Sequence, residues 1–306
     1  MFGVVEAGGT KFICGIGSGP DDLRTTRVPT SEPAVTVDAV IDFLRTSGNG
    51  NLKAVGIGSF GPICTDPRSP LWGHITSTPK LAWRNCDLAG PIGKALGVPV
   101  GFDTDVNAAA LGEARWGAAQ GIEDFLYLTV GTGIGGGAVA SGRVIHGMSH
   151  PEMGHIRIPH DRATDPFAGV CPYHEDCLEG LASGPAIKAR WGVPAEQLPP
   201  DHPAWTLEAH YLALAVVSLV CTLSSARVIL GGGVMRQAQL FPLVRREVAL
   251  LINGYIDIPE IVPPALGDRS GVCGALVLAE KACGAGDLAC APKGLNTSGG
   301  GTHSNN

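Results

Sequence analysis

The sequence is short of charge, of aromatics and of basic excess. Only 16% of its 306 residues are charged and 6% are aromatic, and the formal net charge is −6. A chain with no basic excess offers little to a nucleic-acid backbone, which argues against that class of partner. No stretch of about 20 apolar residues reads as a membrane span. The opening "MFGVVEAGGTKF" lacks the basic start and cleavage site of a leader, so the expectation is a cytoplasmic protein with no membrane partner. Nine cysteines are an odd number, scattered, some within apolar segments such as "FICGIG" and "SLVCTLSS". That pattern reads as reduced, buried thiols rather than a disulfide framework. Two motifs are also missing. No G-x-x-x-x-G-K-[ST] occurs, which removes the P-loop, and no H-E-x-x-H occurs, which removes the zinc-protease helix.

What is abundant is glycine, 44 residues of it, gathered at the ends of β-like runs. "FGVVEAGGTKFICGIG" and "DFLYLTVGTGIGGGAVASGRVI" each read as strand, glycine turn, strand, one in each half of the chain. That resembles a duplicated unit. "LKAVGIGSFGPI" and "ARVILGGGVM" supply further strands. Helix patterns alternate with them in "AVTVDAVIDFLRTSG", "DLAGPIGKALG", "DVNAAALGEARWG" and "TLEAHYLALAVVSLVCTLSS". Alternation of this kind predicts an α/β fold, and the hairpin-like units predict mixed rather than purely parallel sheets. The stretch "WGAAQG" marks a domain boundary near residue 118. The expected organisation is therefore an N-terminal α/β domain over 1–118, a C-terminal one over 119–283, and a disordered glycine-rich tail over 284–306. "GTGIGG" and "GIGSFG" match G-x-G-x-x-G by letters, but neither is followed by a helix-like segment. A dinucleotide fingerprint needs one. What remains is bare backbone at tight turns, where phosphates can approach closely.

Two constellations carry chemistry. The first is Asp105, where the strand-like "VPVGF" gives way to a helix. An aspartate there is a standard helix cap; it is equally placed to accept a proton from a hydroxyl. The second is "GHIRIPHDRATDPFAGVCPYHEDCLEG", in which Cys171, His174 and Cys177 form C-x-x-H-x-x-C with His155 upstream. Four nitrogen and sulfur ligands suit a closed, structural zinc site, whereas a catalytic zinc keeps a position for water. His160 is an alternative ligand, although "IPHDRATD" reads as a solvated loop.

Taken together, "EAGGTK", "VNAAALGE", "TVGTGIGGG", "PEMGHI", "CLEGLASGPAI" and "VILGGGV" stand in the order found in ROK-family sugar kinases, and the resemblance runs from about Gly3 to Glu280. It implies the actin-like ATPase fold, of ribonuclease H-like type, with two similar domains around a cleft and a last helix that packs back on the first domain. It also implies phosphorylation of a hexose by MgATP, with Asp105 as general base. Phosphates would be held by Gly8, Gly9, Thr10 and Lys11 and by Gly131, Thr132 and Gly133. Gly231, Gly232 and Gly233 would border the adenosine, and Pro185 would line the nucleotide side. Glu152, His155 and Glu179 would contact the sugar, with Thr104 and Asn107 beside the base and Asp103 in a supporting part. Structural zinc on His155, Cys171, His174 and Cys177 fits the family's pattern, with His174 in a place usually held by cysteine. Glu6 stands where most members have Asp, and Thr104 where many have Asn. With "FDTD", these departures resemble the fructokinase branch, implying fructose 6-phosphate as product. A homodimer is the family's expectation. The family also contains sugar-responsive repressors, which carry a DNA-binding domain ahead of the first glycine turn; that turn falls within the first ten residues here, so the expectation is an enzyme.

Overall fold

The computed structural model describes residues 1–284, so the tail expected over 284–306 lies, apart from Gly284, outside the described residues. In chain order the first half contains β1 (Phe2–Ala7), β2 (Lys11–Gly17), β3 (Arg24–Pro29), α1 (Pro33–Gly48), β4 (Val55–Ser59), β5 (His74–Ile75), β6 (Cys86–Asp87), α2 (Ala89–Leu96), β7 (Val100–Thr104) and α3 (Asp105–Trp116). The second contains β8 (Phe125–Val130), β9 (Ile134–Ala140), β10 (Arg143–Val144), α4 (Leu178–Ala182), α5 (Gly184–Trp191), α6 (Ala204–Leu223), β11 (Arg227–Gly231), α7 (Leu240–Ile252), β12 (Glu260–Val262) and α8 (Ser270–Ala282).

The duplication is plain in the sheets. One has the order β3-β2-β1-β4-β7, the other β10-β9-β8-β11-β12. In each, an antiparallel hairpin leads and two later strands add in parallel to the hairpin's first strand. The inner strands β1, β4, β8 and β11 are largely apolar on both faces because both faces are covered, whereas the edge strand β3 is polar and mostly exposed. Leu126, Leu128 and Val130 of β8 meet α6 and α7, while Phe125 and Tyr127 of the same strand meet α3. The strand β9 follows the "GTG" turn directly, so no dinucleotide-type helix starts there.

Two helices tie the halves together. The last helix of the first half, α3, sets Val106, Ala109 and Ala110 against the second sheet. The last helix of the described residues, α8, sets Val272, Ala275 and Leu276 against Val4 of the first sheet, and Val277 and Leu278 against Ala108 and Leu111 of α3. The α3–α8 pair thus runs between the sheets, and glycine permits its closeness. A Cβ on Gly274 would run into the carbonyl of Ala108. Gly→Ala in a helix interior ordinarily gains about 0.5–1 kcal/mol, but a backbone collision costs more, about 1–3 kcal/mol or above. Gly274→Ala is therefore expected to lower the melting temperature by about 5 °C or more, read by circular dichroism. An unchanged or raised value would contradict this packing.

Helix α6, expected from the sequence as a long apolar helix and not as a membrane span, does have the length and composition of one, and half of its most apolar 18-residue window is buried inside the fold. Trp205, Leu212, Val216 and Val220 are core residues of the second half. Eight cysteines among the described residues are free thiols. Cys14, Cys171, Cys177 and Cys273 are buried as expected; Cys221 is not, because it points outward from α6.

Candidate active site between the two sheets

Two cavities open where α3 begins. The larger, about 1170 Å³, takes Phe60, Thr76, Arg84 and Asn85 from the first half and residues 131–136, Glu152, His155, His174 and Glu179 from the second. The smaller, about 610 Å³, is lined by Glu6, Gly8, Thr10, Lys11, Tyr127, Gly232 and Asp268. Thr104 and Gly9 face the larger one. Asp105 lines both. Each volume is of the size that holds a small organic ligand.

Local hydrogen bonding decides what Asp105 is free to do. The cap of α3 is not Asp105 but Thr104, whose Oγ1 accepts from the backbone N–H of Asn107 at 3.1 Å. Asp105 is the first helical residue, and its carboxylate accepts from the adjacent Val106 N–H, at 2.9 Å, and from its own backbone N–H, but from no side chain. Burial pushes its pKa up to about 6, against the weaker pull of these N–H groups. Behind it, Asp103 is locked: its Oδ1 accepts from Thr104 N at 2.8 Å and from Asn107 Nδ2 at 2.7 Å, and its Oδ2 lies 2.9 Å from His146 Nε2. This rigid backing leaves one carboxylate free and poised near neutrality, as a proton acceptor requires.

Four more carboxylates line the cavities, of which Asp268 is paired with Arg236. Glu6, on β1, is raised to about 7 by burial and by the charge of Asp105, opposed by Lys11. Glu152 is raised to about 7 by burial, then by Glu179 and Asp105. Glu179, in the first turn of α4, accepts from Ile134 N through Oε2 at 2.8 Å, which fastens α4 to the β8–β9 turn. The same turn is held from α5, where Gly184 N donates to Gly131 O at 2.8 Å.

One side-chain cluster has metal-ligand geometry. One ligand atom each from His155, Cys171, His174 and Cys177 lies within 4.8 Å of the others. Cys171 Sγ is 3.7 Å from Nδ1 of both His155 and His174, and Cys177 Sγ is 3.5 Å from His155 Nδ1. A tetrahedron with zinc bonds of about 2.3 Å to sulfur and about 2.0–2.1 Å to nitrogen has S···N edges of about 3.6 Å. The four residues fit such an ion. His160 does not compete, and its loop is not the solvated one expected. Its side chain is buried, Nδ1 lies 3.2 Å from Asp176 Oδ2 and Nε2 2.9 Å from the Asp165 carbonyl.

Some expected residues stand apart. Asn107 lines neither cavity: it is buried, and its amide donates to Asp103. Pro185 is exposed in the first turn of α5 and lines neither cavity. Of the last glycine triplet only Gly232 borders one; its φ of +92° and the Val130 backbone beside it leave no room for a side chain. In the other direction, sequence reasoning missed His146 and His150, which hold the segment before Glu152, and the cavity-lining Arg84 and Asn85.

Comparison with known proteins places the chain in one family. The family model described as "ROK family" matches residues 2–282. A putative fructokinase of Bacillus subtilis (strain 168) is 46% identical over 292 residues, covering 92% of this chain and 96% of that protein. A fructokinase of Pediococcus pentosaceus is 41% identical, covering 92% and 98%. Among solved structures, the ROK hexokinase of Thermus thermophilus superposes with a TM-score of 0.76 at 28% identity, over 93% of this chain and 99% of that one. A ROK family glucokinase from Streptomyces griseus, solved with glucose and AMPPNP, gives 0.73 at 26% identity, over 92% and 99%.

Proposed function

The chain belongs to the ROK family, and we propose that it is an ATP-dependent hexose kinase converting D-fructose to fructose 6-phosphate. The observation that carries this reading is that Asp105 is the one carboxylate lining both cavities at once. Relatives named fructokinase at 41% and 46% identity supply the sugar.

In this reading fructose occupies the larger cavity and the nucleotide spans the two glycine turns. Asp105 accepts the proton of the 6-hydroxyl as that oxygen bonds to the γ-phosphorus. The bond from phosphorus to the bridging oxygen breaks, ADP leaves, and the proton passes from Asp105 to solvent. Such a base is worth about 10²–10⁴-fold, with positioning supplying the rest. Gly9, Thr10, Lys11, Thr132 and Gly133 hold phosphate oxygens by backbone N–H groups, a hydroxyl and one cation, while Gly8 and Gly131 shape the two turns, their N–H groups donating to the carbonyls of Lys11 and Gly133. Gly232 sits at the adenosine end. Magnesium, when bound, neutralises charge on the phosphates, and Glu6 is the carboxylate in the smaller cavity to face it. Glu152 and Glu179 accept hydrogen bonds from sugar hydroxyls. His155 has Nδ1 in the Cys/His cluster, which leaves Nε2 for the sugar, so a structural zinc ion there would support the sugar-binding wall. Thr104 keeps its backbone at the cavity while its hydroxyl caps α3, and Asn107 acts only through Asp103. The division of labour follows the two halves, 1–118 and 119–283, with α8 returning to the first.

The test is a coupled ADP-release assay over fructose, glucose, mannose and N-acetylated hexosamines. The expected result is a kcat/KM for fructose at least about tenfold above the others, a discrimination that one or two hydroxyl contacts can provide. A higher value for another hexose would reassign the sugar, and no sugar-dependent ADP from any of them would overturn the kinase reading.

A further inference from the structure

The segment joining β10 to the 3₁₀ turn at Met153–His155 crosses to the first half of the molecule and touches it twice. His146 Nε2 meets Asp103 Oδ2 at 2.9 Å, and His150 Nε2 lies 3.0 Å from the backbone nitrogen of Ile63. Ile63 follows Phe60, Gly61 and Pro62, three residues that line the larger cavity from the first half. The His150 side chain is only 4% exposed, and the residue lines the same cavity. A backbone N–H can only donate, so Nε2 of His150 is the acceptor and the ring proton resides on Nδ1. Nδ1 faces the Pro151 carbonyl, which draws on its proton, and stands 3.5 Å from Oε1 of Glu152, whose side chain is 45% exposed, a distance longer than a closed hydrogen bond. Contacts of this kind tighten by a few tenths of an ångström when a site closes on its ligand. His150 is therefore wedged between the wall contributed by one half and a carboxylate contributed by the other.

We propose that His150 is a positioning residue for the sugar: pinned by Ile63, it directs its Nδ1–H at Oε1 of Glu152 and so presents the other carboxylate oxygen to a fructose hydroxyl. The inference rests on the reading of Glu152 as a sugar contact. It predicts a link between the loop at 60–63 and sugar affinity that does not pass through the nucleotide or the base. A glutamate that meets a fixed donor at one oxygen as the site closes needs less searching to present the other, which lowers the entropic cost of binding.

The test exploits the shapes of two amides. In His150→Gln the side-chain oxygen reaches the place of Nε2 and keeps the bond to Ile63, but nothing donates at the Nδ1 position. In His150→Asn a side-chain N–H sits near the Nδ1 position while the link to Ile63 is lost. Steady-state kinetics for both substrates, with melting temperatures and metal content, are measured for these variants, for Glu152→Ala and for the double variant His150→Gln/Glu152→Ala. His150→Gln is expected to raise the KM for fructose about tenfold, with the KM for ATP within about twofold and the melting temperature and metal content held. The double variant is expected to be no worse than Glu152→Ala alone. Should His150→Gln fail to fold, His150→Asn reports on the Ile63 pin instead: it is expected to raise the fructose KM by misaiming the donor, and to add nothing to Glu152→Ala in the corresponding double variant. If Glu152→Ala raises the fructose KM but neither His150 variant does, or if the effects simply multiply, the tether is refuted and the reading of Glu152 stands. A fructose KM unmoved by Glu152→Ala would refute the sugar contact itself, and the tether with it.

Discussion

Asp105→Asn is expected to lower kcat by about 10²–10⁴-fold while fructose binding stays within a few-fold of wild type. The substitution keeps shape and one acceptor oxygen, so the contact to the Val106 N–H at 2.9 Å survives. Thr104, not Asp105, supplies the helix cap, so α3 should not fray. What is lost is the capacity to take a proton. Two further readouts separate this from a structural role. Burial raises the Asp105 pKa to about 6, and a base works only when ionised, so wild-type kcat should fall as pH drops through about 6. Stability should show the opposite sense. A carboxyl whose folded pKa lies above the ordinary 3.8 favours the folded state at low pH, and that contribution disappears as pH rises through about 6. Above that pH the wild type carries an ionised buried carboxylate, which the asparagine variant does not. The variant should therefore melt several degrees higher than wild type at pH 8 and show no such advantage near pH 4, read by circular dichroism in titrated buffers. A helix cap would give the reverse, a variant less stable at pH 8. Full turnover in the variant would remove Asp105 from the chemistry altogether.

The same residue shows where sequence reasoning stopped short. Strand, turn and strand were legible because glycine and apolar alternation are local signals, and both hairpins formed where they were read. Whether Asp105 capped the helix was not legible, since Thr104 and Asp105 are both good caps and a shift of one residue reverses the carboxylate's role. The structure gives the cap to Thr104, and the motif then makes sense as a cap followed by a free acid. The histidines before Glu152 left no trace in the sequence, because their partners stand 43 and 87 residues away. His160 misled for a related reason. Its neighbours are polar and look solvated, yet Asp165 beneath it pairs with Tyr211 of α6 at 2.6 Å, which draws the loop into the core. Polar letters in a row do not distinguish a wet loop from a buried network whose partners lie elsewhere. The metal ligands were easier, because three of the four lie within seven residues.

Removing one of those ligands is the second large perturbation. Between Ile156 and Cys177 the chain forms no helix or strand beyond an isolated bridge from Cys171 to Glu175. Besides a few backbone bonds such as Val170 N–H to the Gly180 carbonyl, its order comes from side chains: the His160 and Asp176 contacts and the Cys/His cluster. Cys177 immediately precedes α4, which carries Glu179, and His155 follows Glu152 by three residues. An ion bound there would fix both carboxylate-bearing segments at once, and the free energy of binding an ion to such a set is large, on the order of 10 kcal/mol in small zinc sites. Protein purified without chelator is expected to contain about one zinc per chain, as structural sites of this ligand type do. Cys177→Ser, or exhaustive chelation, is expected to lower the melting temperature by about 10 °C or more. The KM for fructose should rise more than the KM for ATP, because Gly8, Thr10 and Lys11 sit on the other half of the molecule. Added zinc should restore the chelated protein but not the serine variant. Protein that contains no zinc as purified, or a melting temperature indifferent to chelation, would mean that the four side chains pack without an ion and that the sugar wall stands by other means.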